Sequence, residues 1–136
     1  IIDFKNVVIE QSGNAIRAQQ LGRYIDLVPS KTDLRYSFNM RRFIGSNIND
    51  EVGYIADQLA SRFTDPGSTL NFHQELLSNV DDYSTIRDKL FSDLDEFIPL
   101  ELTGTLSQQA IQLRDALADV PPGMLSESLR SIIKVE

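Results

Sequence analysis

The amino-acid sequence predicts an α+β fold that is mostly helical, and three observations lead to this fold class. Two short segments in the first third of the chain have the composition or alternation of β-strands. From Ile48 onward, apolar residues recur every three or four positions, the spacing of a one-sided helix. Prolines and glycines interrupt this recurrence. We therefore expect a small N-terminal β element joined to a compact bundle of about six amphipathic helices.

The β element is predicted to contain two strands, near 3–10 and 34–43. The first segment is rich in β-branched residues and runs into the turn-like sequence Ser12-Gly13-Asn14. In the second segment, four apolar residues alternate with four polar ones, which are Leu34, Tyr36, Phe38 and Met40 against Arg35, Ser37, Asn39 and Arg41. A period of two predicts a strand with one apolar and one polar face.

The predicted helices each carry a single apolar stripe, so each must pack against a neighbour. One helix is expected over 14–27, before the second strand, and is ended by Pro29. The others are expected over 48–63, over 69–80, from Tyr83 to Phe97, from Leu106 to Leu117 and from Leu125 to Ile133. Thr105 and Gln108 have the spacing of a capping box.

Composition is that of an ordinary globular protein. The 136 residues are 41% hydrophobic and 24% charged, which predicts one domain over 1–136. The chain begins without methionine, as expected of a processed product or an excised piece of a longer chain. Cysteine is absent, which excludes disulfides and thiolate chemistry. With neither a membrane-length apolar run nor a signal-peptide pattern, we expect a soluble, intracellular protein.

Charge is distributed unevenly along the chain. Residues 1–45 contain seven basic and four acidic side chains, whereas residues 46–136 contain six basic and sixteen acidic ones. The net charge of −7 is therefore the sum of +3 and −10. Opposite charges on one domain favour contact with a partner that faces only one side, or with a second copy.

Catalytic and metal-binding patterns are weak. His73 is the single histidine and falls between Leu70 and Leu77, so we interpret it as a residue at the edge of the core. Asp93-Leu94-Asp95 begins like a calcium loop but lacks the remaining ligands. Phosphate-binding glycine motifs and serine-nucleophile motifs are also missing. We predict no catalytic residue, metal or cofactor, and an enzyme using His73 or an acidic cluster is the second alternative.

The basic segment from Lys31 to Arg42 is the candidate binding region. We predict that it contacts a partner through Lys31, Arg35, Asn39, Arg41 and Arg42. Guanidinium groups on one strand face could bind an acidic protein surface or nucleic-acid phosphates, or could form a solvated strand face. The main hypothesis is a non-catalytic protein-interaction or assembly module, including self-association. The first alternative is a nucleic-acid-binding regulator that uses the Arg35–Arg42 segment.

Overall fold

The computed structural model describes residues 1–6, 16–42, 47–64, 80–92, 94 and 100–136. Within them the elements run in the order β1 (Ile2–Lys5), α1 (Ala18–Leu27), β2 (Arg35–Phe38), α2 (Ile48–Thr64), α3 (Tyr83–Phe91), α4 (Leu106–Ala118), α5 (Pro122–Arg130) and β3 (Ile133–Val135). Short 3-10 turns cover Lys31–Asp33 and Met40–Arg42. The mostly helical α+β class predicted from the sequence is confirmed.

The number of helices is corrected from about six to five in the described residues. The helix expected over 69–80, which contains His73, lies outside those residues, as does the end of the one expected to reach Phe97. The structure begins α1 at Ala18, because Arg17 has extended backbone angles. The α2 helix matches its predicted range of 48–63 to within one residue.

The β element differs most from the prediction. It is a three-stranded parallel sheet in the order β1-β2-β3, and its third strand comes from the C-terminal end of the chain. The sequence pattern had assigned Ile133 to the last helix, because Leu125, Leu129 and Ile133 keep a spacing of four. The helix instead ends at Arg130, and Ile133 pairs with Tyr36 of the central strand.

The β2 strand is shorter than the predicted 34–43 and does not alternate between buried and exposed residues. It ends at Phe38, after which Met40–Arg42 turns away from the sheet. Tyr36, Ser37 and Phe38 are all buried. The strand is central and its neighbours shield both of its edges, so the polar face expected from the sequence is partly covered. Of the strand predicted over 3–10, the structure places residues 3–5 in β1, which begins one residue earlier at Ile2, and residues 7–10 lie outside the described part.

The core lies between one face of the sheet and the helices. Tyr36, Phe38 and Ile133 from the sheet join Leu59, Leu90 and the other apolar stripe residues of the five helices. The capping box is confirmed: the Thr105 hydroxyl accepts a hydrogen bond from the Gln108 amide, and the Gln108 side chain accepts one from the Thr105 amide. Among the helices of the described residues, none is long and apolar enough to cross a membrane.

Candidate interaction surface

The sheet buries one face in the core, and on its other face the side chains of β1 in the described residues are exposed, although Ser37 of β2 is buried. On the core face, Tyr36 and Phe38 are 0% exposed, whereas on the opposite face Phe4 is 74% exposed and Ile2 is 50% exposed. Purely parallel sheets are normally covered on both faces, because crossover helices pack on each side. The side that carries the exposed Ile2 and Phe4, here called the open sheet face, is therefore the strongest candidate for contact with another molecule.

Strand register arranges the open sheet face in rows. Ile2 pairs with Arg35, and Phe4 pairs with Ser37, which in turn pairs with Lys134. Paired residues of a parallel sheet point to the same side, so these five side chains share one face. The face is consequently apolar along β1 and cationic along β2 and β3.

A polar network holds β2 and β3 together on this face. Glu136 follows β3, and its Oε1 atom lies 3.3 Å from Nη1 of Arg35. The Ser37 hydroxyl donates a 2.8 Å hydrogen bond to Oε2 of the same carboxylate. Both charged side chains are more than one-third exposed. Exposed pairs contribute about 0–1 kcal/mol, so a partner carboxylate could replace Glu136 beside Arg35 at low cost.

A shallow cavity opens at the carboxyl end of the face. Its volume is about 300 Å³, and the described residues that line it are Phe4, Lys5, Asn6, Ser37, Asn39 and Glu136. The described lining combines one aromatic ring with amide, hydroxyl, ammonium and carboxylate groups. Such a depression can accept a side chain of a bound protein next to the Phe4 ring.

The structure places Lys31 away from the surface. This residue is 3% exposed, and its Nζ atom donates hydrogen bonds to the Ser128 hydroxyl at 2.8 Å and to the Leu90 carbonyl at 3.5 Å. Its ammonium group therefore ties the turn before β2 to α3 and α5. Of the residues predicted to bind a partner, Lys31 is the one whose position favours a structural role.

The other predicted residues lie at or beyond β2. Arg35 is on the open sheet face, and Asn39 lines the cavity at its end. The Asn39 side chain donates to Asn6 at 3.1 Å and accepts from the Arg41 amide at 3.0 Å, which fixes the turn that follows the strand. Arg41 is exposed on this turn, and Arg42 belongs to the same turn. The basic segment therefore does not form one continuous ribbon.

Sequence reasoning missed the contributions of β1 and β3 to this surface. Phe4 was expected to belong to a strand and Ile2 was not, and nothing local indicated which side of that strand would be covered. Their spacing of two residues, interrupted by Asp3 and followed by Lys5, was the available signal. Lys134 was missed because it follows the predicted last helix, which ended at Ile133, and no strand was expected there.

The residues that the structure describes give little evidence of a catalytic arrangement of side chains. Lys31 and Ser128 form a base–hydroxyl pair, but both are buried, and the Ser128 hydroxyl donates to the Leu90 carbonyl. His73, Asp93 and Asp95 lie outside the described residues. Within the described ranges, no group of three or more metal-ligating side chains could hold a metal ion.

Comparison of this chain with known protein families, curated proteins and solved structures finds no match.

Proposed function

We propose that this domain is a non-catalytic protein-interaction module whose open sheet face binds an acidic amphipathic helix of a partner protein. The observation that carries the proposal is the exposure of Ile2 and Phe4 on one face of a parallel sheet. A helix is the element that normally covers such a face. The proposal thus places a partner helix over this exposed side of the sheet.

The apolar half of the face supplies the affinity. Phe4 is 74% exposed, and burial of apolar surface contributes about 25 cal/mol per Å². Large aromatic side chains near the centre of an interface dominate its binding energy. A partner helix would therefore place its apolar stripe over β1, with Phe4 as the main contact.

The cationic half of the face supplies the charge preference. Arg35 and Lys134 lie on this side of the sheet, and Arg41 is exposed just beyond it. Glu136 is the acidic side chain that faces them, and it already pairs with Arg35. A helix with acidic residues beside its apolar stripe complements this arrangement, and a basic one does not.

The test uses two synthetic helical peptides of about 18 residues, long enough to form a helix. Both carry leucines at helical spacing, with glutamates beside the stripe in one peptide and lysines in the other. Fluorescence anisotropy should show saturable binding of the glutamate peptide. Phe4→Ser should weaken this binding about tenfold. Leu27→Ser, which removes a 69% exposed leucine from the end of α1, should leave it unchanged.

Three outcomes would contradict the proposal. The first is equal binding of the lysine and glutamate peptides, and the second is equal binding by the wild type and Phe4→Ser. The third is a stable dimer in light scattering that Phe4→Ser dissociates, because that result assigns the face to a second copy of this chain. Tight binding of an oligonucleotide that Arg35→Ala with Arg41→Ala abolishes would instead favour nucleic-acid recognition.

A further inference from the structure

A cationic cleft lies beside β1 and α1. Its volume is about 360 Å³, and the described residues that line it are Lys5, Arg17, Gln19, Gln20 and Arg23. These are three cations and two amides, in a protein whose net charge is −7. We infer that this cleft binds a small ligand that carries adjacent phosphate groups, a property that is independent of the proposed partner helix.

The floor of the cleft is held by a closed set of hydrogen bonds. Lys5 Nζ lies 3.3 Å from the Asp3 carboxylate and donates to Gln20 Oε1 at 3.2 Å. Gln20 Nε2 donates to the Tyr24 hydroxyl at 3.2 Å, and that hydroxyl donates to Asp3 at 3.2 Å. The Lys5 ammonium also lies 5.6 Å from the centre of the Tyr36 ring. Lys5 is therefore fixed before any ligand arrives, which lowers the entropic cost of binding.

Arg17 and Arg23 provide the exposed part of the site. Both side chains are exposed, and neither forms an ion pair within the described residues. The guanidinium group donates parallel hydrogen bonds that match two oxygens of one phosphate. Two such groups with a fixed ammonium between helix and strand fit a diphosphate or triphosphate better than a single phosphate.

The position of the cleft agrees with this chemistry. The β1 and β2 strands are parallel, and α1 lies between them in the chain, so they form a strand–helix–strand unit. Ligands of such units bind outside the carboxyl ends of the strands, and Lys5 is the last residue of β1. Because the described lining residues are all polar, they offer an apolar ligand little surface to bury.

Overall charge distinguishes a small ligand from a nucleic acid. A polynucleotide extends well beyond the cleft and would meet the negative charge carried by the rest of the chain. A small oligophosphate needs only the cleft itself. The inference is therefore limited to oligophosphates, either free or as part of a nucleotide.

Isothermal titration at low ionic strength tests the inference with pyrophosphate, tripolyphosphate and ATP as probes. Tripolyphosphate should bind saturably, and Arg17→Gln with Arg23→Gln should weaken it at least tenfold. Arg114→Gln is the matched control, because Arg114 is paired with Asp115 on α4 and lies outside the cleft lining. Equal affinities for ATP and tripolyphosphate would show that the cleft recognises only the phosphate groups. Tighter binding of ATP would show that the ligand is a nucleotide.

Several results would overturn the inference. One is the absence of saturable binding by any of the three phosphate probes. Another is binding of citrate as tightly as tripolyphosphate, because the cleft would then recognise negative charge and not phosphate groups. Tighter binding of a single-stranded oligonucleotide than of tripolyphosphate would assign a nucleic-acid surface instead. Failure of these tests leaves the partner-helix proposal intact: Phe4, Arg35 and Lys134 do not line this cleft, and the test variants change Arg17 and Arg23, not Lys5, which lines both the cleft and the cavity of the open sheet face.

Discussion

The Nζ atom of Lys31 donates a 2.8 Å hydrogen bond to the hydroxyl oxygen of Ser128, which lies 97 residues further along the chain. The same hydroxyl donates to the Leu90 carbonyl, so one serine connects the turn before β2 to α3. Both Lys31 and Ser128 are buried. Buried cations need such partners, because desolvation is costly when they are left without them.

Ser128→Ala is expected to lower the free energy of unfolding by about 1–3 kcal/mol, the usual effect of removing a hydrogen bond to a charged group. Urea denaturation monitored by circular dichroism measures this difference. Ser107→Ala, at an exposed position in the first turn of α4, is the control and should have little effect. Similar losses in the two variants would show that the Lys31–Ser128 contact does not stabilise the fold.

Tyr83→Phe is expected to raise the free energy of unfolding by about 1 kcal/mol at neutral pH. The Tyr83 side chain is 0% exposed, and its hydroxyl forms no hydrogen bond within the described part of the chain. Removing the oxygen therefore ends a desolvation cost without breaking a contact. Thermal or urea unfolding of the wild type and the variant provides the comparison, and a clear destabilisation would reveal a partner for the hydroxyl.

Alkaline pH should destabilise the wild type more than Tyr83→Phe. Burial raises the pKa of Tyr83 from 10.0 to about 12. The unfolded state therefore ionises first, and the contribution of Tyr83 is complete below pH 10 and is lost as the pH rises toward 12. The difference in unfolding free energy between the two proteins, followed over this interval, should increase with pH. A constant difference would contradict the raised pKa.

Protonation of Asp82 should lower the free energy of unfolding in acid. This residue caps α3: its carboxylate accepts hydrogen bonds from the Ser84 hydroxyl, the Ser84 amide and the Thr85 hydroxyl. The Ser84 hydroxyl is the largest cause of its lowered pKa. Because the folded pKa is depressed, this contribution is complete above the unfolded pKa of about 4 and is lost below it.

Asp82→Asn separates this effect from the other carboxylates. Asparagine is a good N-cap that cannot ionise, so the variant should lose less stability than the wild type between neutral pH and pH below about 4. Urea denaturation at the two pH values measures the two losses. Equal losses would mean that Asp82 titrates normally in the folded protein.

Thr105→Ala is expected to lower the free energy of unfolding by about 1 kcal/mol, because it removes the acceptor of the α4 capping box. Thr103→Ala is the matched control: its backbone amide, and not its hydroxyl, donates to Gln112. Chemical denaturation compares the two variants. If Thr103→Ala lowers the free energy of unfolding by the same amount, loss of a threonine side chain in general, and not loss of the cap, explains the effect.

Local patterns predicted the position of most described helices, since a helix depends on residues three and four positions apart. The α2 range and the Thr105–Gln108 cap were predicted correctly, because all the interacting groups are close in the sequence. The end of the last helix was not predicted correctly, because Ile133 fits both a helical stripe and a strand. Pairing with Tyr36 decides between them, and that contact joins segments far apart in the chain.

The sequence by itself determined the fold class, the one-sided helices and the division of charge between the two halves of the chain. Tertiary structure decided which cations remain accessible: Arg35 lies on the open sheet face, whereas Lys31 is buried against Ser128. It also created that face, by placing β2 between β1 and β3 with the helix core on one side. Exposure of a side chain depends on what packs over it, and those neighbours come from distant parts of the chain.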